Sequence, residues 1–242
     1  MKRILFMLAV TFSFSAQASL IDRGNGLIYD TDLNITWLQD TNYAMTSGYD
    51  VDGKMTWQES VAWAHQLNYA GFTGWRLPAV TPVNGVQFNL SANDYDGTDD
   101  GGWNVGAEGT IYAGSTSSEY AHLFYTTLVN SSSYNLDGTS TSCSPNDCLT
   151  NTDLFTNMQT YKYWAETAST YDLAAAWVFA FDNGRQDETN KYNEFYAWAV
   201  HDGDIGAVVS SVPIPSALYL LGSGLIGLIG LAKQNIKLRK YL

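Results

Sequence analysis

Two β-rich runs, GLIYD and ITWLQD, flank Asp32-Leu33-Asn34, and this pattern predicts a hairpin over Gly26–Asp40. In MTWQESVAWAHQLNYAG the apolar Val61, Ala64 and Leu67 recur at helical spacing, with Trp57 and Trp63 nearby. Thr56 fits the N-cap of that helix, Glu59 stands at the capping-box position, and Gly71 suits its exit. Trp75-Arg76-Leu77-Pro78 then begins a strand or a fixed turn. Residues 79–115 are dominated by Gly, Asn, Asp, Ser and Thr and read as loop. A second helix is expected within Ser117–Asn130, and loop again over 131–153. YKYWAET and AAAWVFAF read as strands, Asp182-Asn183-Gly184 as a hairpin turn, and strands follow from Arg185 and in EFYAWAVH. There is no internal repeat. The order predicts an α+β domain with two helices, long loops and an antiparallel sheet.

Both ends are apolar. MKRILFMLAVTFSFSAQA has a basic start, an apolar run and a small-residue cleavage site after Ala18, so residues 1–18 read as a signal peptide. Ser216–Ala232 carries no charge, is of minimal length for a transmembrane helix and is followed by a basic end. Within it Gly222, Gly224 and Gly227 spell a dinucleotide-binding pattern, but a continuous apolar run surrounds them and no acid follows, so that reading is rejected. Val212-Pro213-x-Pro215, the short span and the basic tail resemble the PEP-CTERM sorting signal of Gram-negative bacteria, with Ile214 where that family usually has Glu. The resemblance implies processing by exosortase, in addition to signal peptidase, and a membrane-held state before cleavage. The expected layout is signal peptide 1–18, domain 19–212 and sorting segment 213–242 with its span at 216–232.

The charge pattern agrees with three parts. All 24 acidic residues lie between the apolar ends, with only Arg23, Lys54, Arg76, Lys162, Arg185 and Lys191 against them, so residues 19–212 carry a net charge of −18. Such a body repels nucleic acid and attracts cations. Cys143 and Cys148, close together in an exported chain, read as a local disulfide. Two cysteines are too few for a structural zinc site, and their spacing is not that of a redox motif.

DRGNGLIYD, ITWLQD, MTWQESVAWAHQLN, GWRLP, YWAET and FYAWAVHDGD, in this order over residues 21–204, resemble the Lcl C-terminal domain family. The resemblance implies a C-type-lectin-like fold, near that of the formylglycine-generating enzymes. It also implies a binding role, since the founding member is a bacterial surface adhesin that binds polysaccharides. The Glu-Pro-Asn and Trp-Asn-Asp words of calcium-dependent lectins are absent. Formylglycine chemistry needs site cysteines, and the single pair here is local.

Little else points to catalysis. His65, His122 and His201 are far apart and belong to no H-E-x-x-H, and the body has no G-x-S-x-G elbow. No catalytic residue is assigned. Asp94, Asp96, Asp99 and Asp100 are the candidate metal ligands, with calcium the one cofactor considered, because calcium takes several oxygens on a flexible turn. An EF-hand register starting at Asp96 fails, since position 12 is Ala107. Trp57, Trp75, Trp164, Trp177 and Trp198 are expected in the core, Arg76 in a structural ion pair, and Trp103 on a ligand surface. The favoured expectation is an exported, non-catalytic protein of the outer surface, envelope or extracellular matrix of a Gram-negative bacterium. Its ligand would be a polysaccharide. An exported hydrolase on the same fold, or a membrane-tethered structural protein, are the alternatives.

Overall fold

The computed structural model describes residues 20–90 and 95–206. The expected signal peptide 1–18, the expected span 216–232 and the expected sorting residues Val212, Pro213 and Pro215 lie outside the described residues. Among the described residues no helix is long and apolar enough to cross a membrane.

The predicted hairpin forms from β2 (Leu27–Asp30) and β3 (Ile35–Leu38), antiparallel, preceded by β1 (Leu20–Gly24), a strand outside the predicted set. Its turn is tied by Asp30, whose Oδ1 accepts the N–H groups of Asp32 and Leu33 at 3.1 and 3.2 Å. A single-turn α1 (Tyr43–Thr46) and the short β4 (Lys54–Met55) follow. The capping box of α2 (Trp57–Gln66) is complete: Thr56 Oγ1 accepts the Glu59 N–H, and Glu59 Oε2 accepts the Thr56 N–H at 3.0 Å. The helix ends earlier than Gly71 suggests. Leu67 is extended and packs toward the core, and Gly71 lies in a separate turn closed by Tyr69 and Phe72. The second predicted helix is shorter than 117–130: α3 (Glu119–His122) passes into a π-helical turn over Leu123–Thr127.

Two sheets form where one antiparallel sheet is expected. The first has the order β1-β2-β3-β9, with β9 at Val200–Asp202. The second comprises β5 (Lys162–Ala168), β6 (Ala175–Ala180), β7 (Arg185–Asn190) and β8 (Phe195–Tyr196) in the order β4-β8-β5-β6-β7. It is mixed, because β5 and β8 run parallel. EFYAWAVH is therefore not one strand. β8 belongs to the second sheet and β9 to the first, and Ala197–Ala199 cross between them. Alternation along a chain reveals its two faces but not which neighbour it bonds.

β6 is buried at every position, as its unbroken apolar run requires of a strand covered on both faces. Trp37, Tyr120, Tyr163, Phe179, Phe181 and Trp198 meet in the middle of the core. Trp75, Trp164, Trp177 and Trp198 are buried as expected, and Trp37 and Trp63 join them. Trp57 departs from expectation. It is half-buried, its indole N–H bonds Ala165 O at 2.9 Å, and the Lys191 ammonium lies 4.5 Å from its ring. Arg76 is the structural ion pair foreseen for it, forked onto Glu119 at 2.7 and 2.8 Å and also bonded to Asp202.

Candidate functional site

The long loops are held by a chain of specific bonds that starts at the exposed edge of β7. Gly102 exchanges two backbone hydrogen bonds with Gln186, both 2.8 Å, so the loop meets at this one point an edge that would otherwise be open. This places Trp103 beside Arg185. Asn104, in the left-handed region at φ 61°, then turns the chain. Its side-chain amide donates to Tyr95 O at 2.7 Å and Tyr134 O at 2.9 Å, joining two loops that the sequence separates widely. Its backbone N–H donates to Tyr125 Oη at 3.0 Å, and that hydroxyl donates to Gly184 O at 2.6 Å. Gly184 suits this close approach: φ is +78°, and a Cβ there would lie 2.5 Å from Tyr125 Oη. Burial pushes the Tyr125 hydroxyl up to about 12, so it stays a donor at ordinary pH.

The other wall is fixed equally. Asn130 Oδ1 accepts the N–H groups of Thr150 and Asn151, and its amide donates to Asn151 O at 2.9 Å. Cys143 and Cys148 are disulfide-bonded, as expected, and Cys148 N–H bonds Asp182 O at 3.0 Å, stapling the loop to the β6–β7 turn.

Between these walls lies a cleft of about 300 Å³ lined by Asn104, Glu108, Tyr125, Val129, Ser131 and Tyr134 among others. A second pocket of about 350 Å³ shares Glu108, Tyr125 and Val129 with it. Val129 is 70% exposed yet sits at φ 54°. A β-branched residue in that region costs roughly 1–3 kcal/mol. It is clamped there because Leu128 N–H bonds Leu123 O at 2.8 Å and Asn130 N–H bonds Phe124 O at 2.9 Å. The position closes a helical turn, where glycine is usual.

Trp103 lies beside the cleft rather than open to it. Tyr95 stacks on its ring at 5.1 Å, Tyr134 meets it edge-on at 4.7 Å, and the Arg185 guanidinium lies 4.8 Å from its centre. Trp103 thus props Tyr134, which does line the cleft. A larger cavity of about 490 Å³ elsewhere is lined by Asp52, Lys54, Tyr161, Glu194 and Tyr196. There Lys54 is already paired with Asp52 at 3.3 Å and lies over the Tyr196 ring.

The acidic residues are used locally. Asp100 accepts the N–H groups of Val83 and Asn89, Asp99 accepts the Asn89 amide, and Asp96 accepts the Thr98 N–H. Asp94 lies outside the described residues. Among the described residues no three His, Cys, Asp or Glu side chains gather as a metal site. The histidines have separate partners. His65 pairs with Glu166 at 2.9 Å, and both ring nitrogens of His201 face carbonyls, those of Asp202 and Thr73. His122 is buried, with Nε2 at 3.6 Å from Asp32 and Nδ1 at 3.1 Å from Ser115 O.

Burial pushes the carboxyls of Asp30, Asp100, Asp182 and Glu188 above their ordinary values. A raised acid favours the folded state fully below its unfolded value, 3.8 for Asp or 4.5 for Glu, and loses that contribution as pH rises through the folded one. Asp52, Glu59 and Asp137 shift downward, through bonds from Lys54, Thr56 and Thr139, but are exposed and solvent-screened. The unfolding midpoint is therefore expected to fall as pH rises above the unfolded values of 3.8 and 4.5. Calorimetry across that range checks this, and a midpoint that climbs instead refutes it.

Residues 26–201 match the family model described as the Lcl C-terminal domain. Comparison with curated proteins and with solved structures finds no match.

Proposed function

We propose that this chain, which belongs to the Lcl C-terminal domain family, is an exported, non-catalytic protein of the cell surface or extracellular matrix whose lectin-like domain binds polysaccharide. The observation that carries the reading is the cleft between the stapled loops. Its lining mixes amides, hydroxyls and two tyrosines with small apolar groups, and these bond sugar hydroxyls and pack against sugar rings. Three of its polar groups, Tyr134 Oη, Ser131 Oγ and the Glu108 carboxylate, make no hydrogen bond among the described residues, so a ligand need not displace the scaffold. Asn104, Tyr125 and Asn130 spend their polar atoms holding the walls, which supplies pre-organisation.

The test uses the mature protein from a host with exosortase. Its intact mass is first checked for loss of residues 1–18 and of the segment from Pro213. Binding to an array of envelope and exopolymer glycans is then measured for the wild type and for Tyr134→Ala. The wild type is expected to bind and the variant to lose about tenfold or more in affinity, the scale of one lost aromatic contact. Equal binding by both, or none by either, defeats the assignment.

A further inference from the structure

Resting on the glycan-binding reading of the cleft, we infer that its ligand is an uncharged polysaccharide, built of neutral or N-acetylated sugars and free of sulfate and carboxylate. A polyanion is recognised by unpaired Arg and Lys side chains set at its spacing. This domain sets no Arg or Lys side chain on the cleft lining. Of its six basic residues, Arg23 is paired with Asp204, Lys54 with Asp52, Arg76 with Glu119 and Arg185 with Asp187. Lys191 donates to Leu173 O and covers Trp57, and Lys162 lies over Phe195. None of the six lines the cleft, whose single charged side chain is the exposed Glu108. With a net charge of −18 over residues 19–212, the field at the cleft mouth opposes an approaching polyanion.

The positive features suit a neutral sugar. A hexose presents hydroxyls at its edge and C–H groups on its faces, so it needs hydrogen-bonding groups beside small apolar surfaces. Val129 and Leu136 are 70% and 40% exposed on the cleft lining, next to Tyr134, Ser131 and Asn135. Val129 is the informative one. Glycine would relieve its backbone, and valine in that conformation places an isopropyl group on a wall shared by two pockets. The geometry makes Val129 a contact residue that sacrifices backbone comfort for an apolar surface.

The experiment is titration calorimetry on the processed protein. The neutral probes are mannan, β-glucan and N-acetylglucosamine oligomers, and the anionic probes are heparin and polygalacturonate, each at low and high sodium chloride. Binding of a neutral probe that is unchanged by salt is expected, because screening acts on charge–charge attraction alone. Val129→Gly is expected to raise the unfolding midpoint while weakening that binding roughly tenfold. Binding confined to the anionic probes and weakened by salt overturns the neutral-ligand inference and leaves polysaccharide binding intact. Binding of neither class overturns both. A Val129→Gly protein that gains stability but keeps full affinity removes Val129 from the contact, and with it the placement of the ligand in this cleft.

Discussion

Trp198→Ala is expected to cost about 4 kcal/mol, since emptying a buried Trp or Phe site costs roughly 3–5 kcal/mol. Trp198 is fully buried, with Trp37 at 4.6 Å and Phe155 at 4.8 Å between ring centroids. Tyr120, Tyr163 and Phe181 lie near 6 Å. Those rings come from both sheets and from α3, so they cannot all collapse into the space left. The indole N–H also donates to Leu38 O at 2.7 Å, and the substitution leaves that buried carbonyl without its partner. A domain of this size has about 5–15 kcal/mol in total, so the variant sits close to the edge of folding. Trp198→Phe keeps most of the ring and should lose about 1–2 kcal/mol, mainly the hydrogen bond. Urea denaturation of both variants separates the parts. A loss below about 2 kcal/mol for Trp198→Ala would show that the cluster repacks freely.

Arg76→Ala should be nearly as severe, at about 3 kcal/mol, because removing one member of a buried ion pair strands the other. The Arg76 and Glu119 side chains are only 22% and 12% exposed. Glu119 keeps one contact, the Ala79 N–H at 2.7 Å, and would retain a desolvated charge. The guanidinium also bonds Asp202, which is 77% exposed and adds little. Mechanically, Arg76 joins the start of α3 to β9, and its own backbone exchanges two bonds with Val200. Lysine at this position keeps the charge but not the fork, so Arg76→Lys should recover less than half of the loss. Full recovery by lysine in the same urea assay would mean that charge alone matters.

Much of the framework is legible in the sequence where local chemistry decides it. Thr56 and Glu59 announce the start of α2, Asp182-Asn183-Gly184 turns β6 into β7, and the Cys143–Cys148 pair is bonded as its spacing implies. Where distant partners decide, the pattern is silent. Leu67 ends a helix because it turns inward, and β8 and β9 separate because Phe195 and Val200 find different neighbours. The cleft is least legible of all. It depends on Asn104 reaching Tyr95 and Tyr134, on Gly102 joining β7, and on Val129 in a conformation its residue type disfavours. Asn104 and Val129 look unremarkable in a loop and at a helix end. The tryptophan singled out for the surface, Trp103, stands one ring behind the residue that lines the cleft.

The crossing of residues 197–199 between the sheets also has a temporal side. β9 closes the first sheet against β3, and Trp198 reaches Leu38, 160 residues earlier in the chain. β8 lies between β4 and β5 in the other sheet. The last few residues of the domain thus complete both sheets, so no N-terminal fragment ending before Phe195 holds either one whole. Contacts this distant slow folding, and completion of both sheets has to wait until residues 195–202 are available.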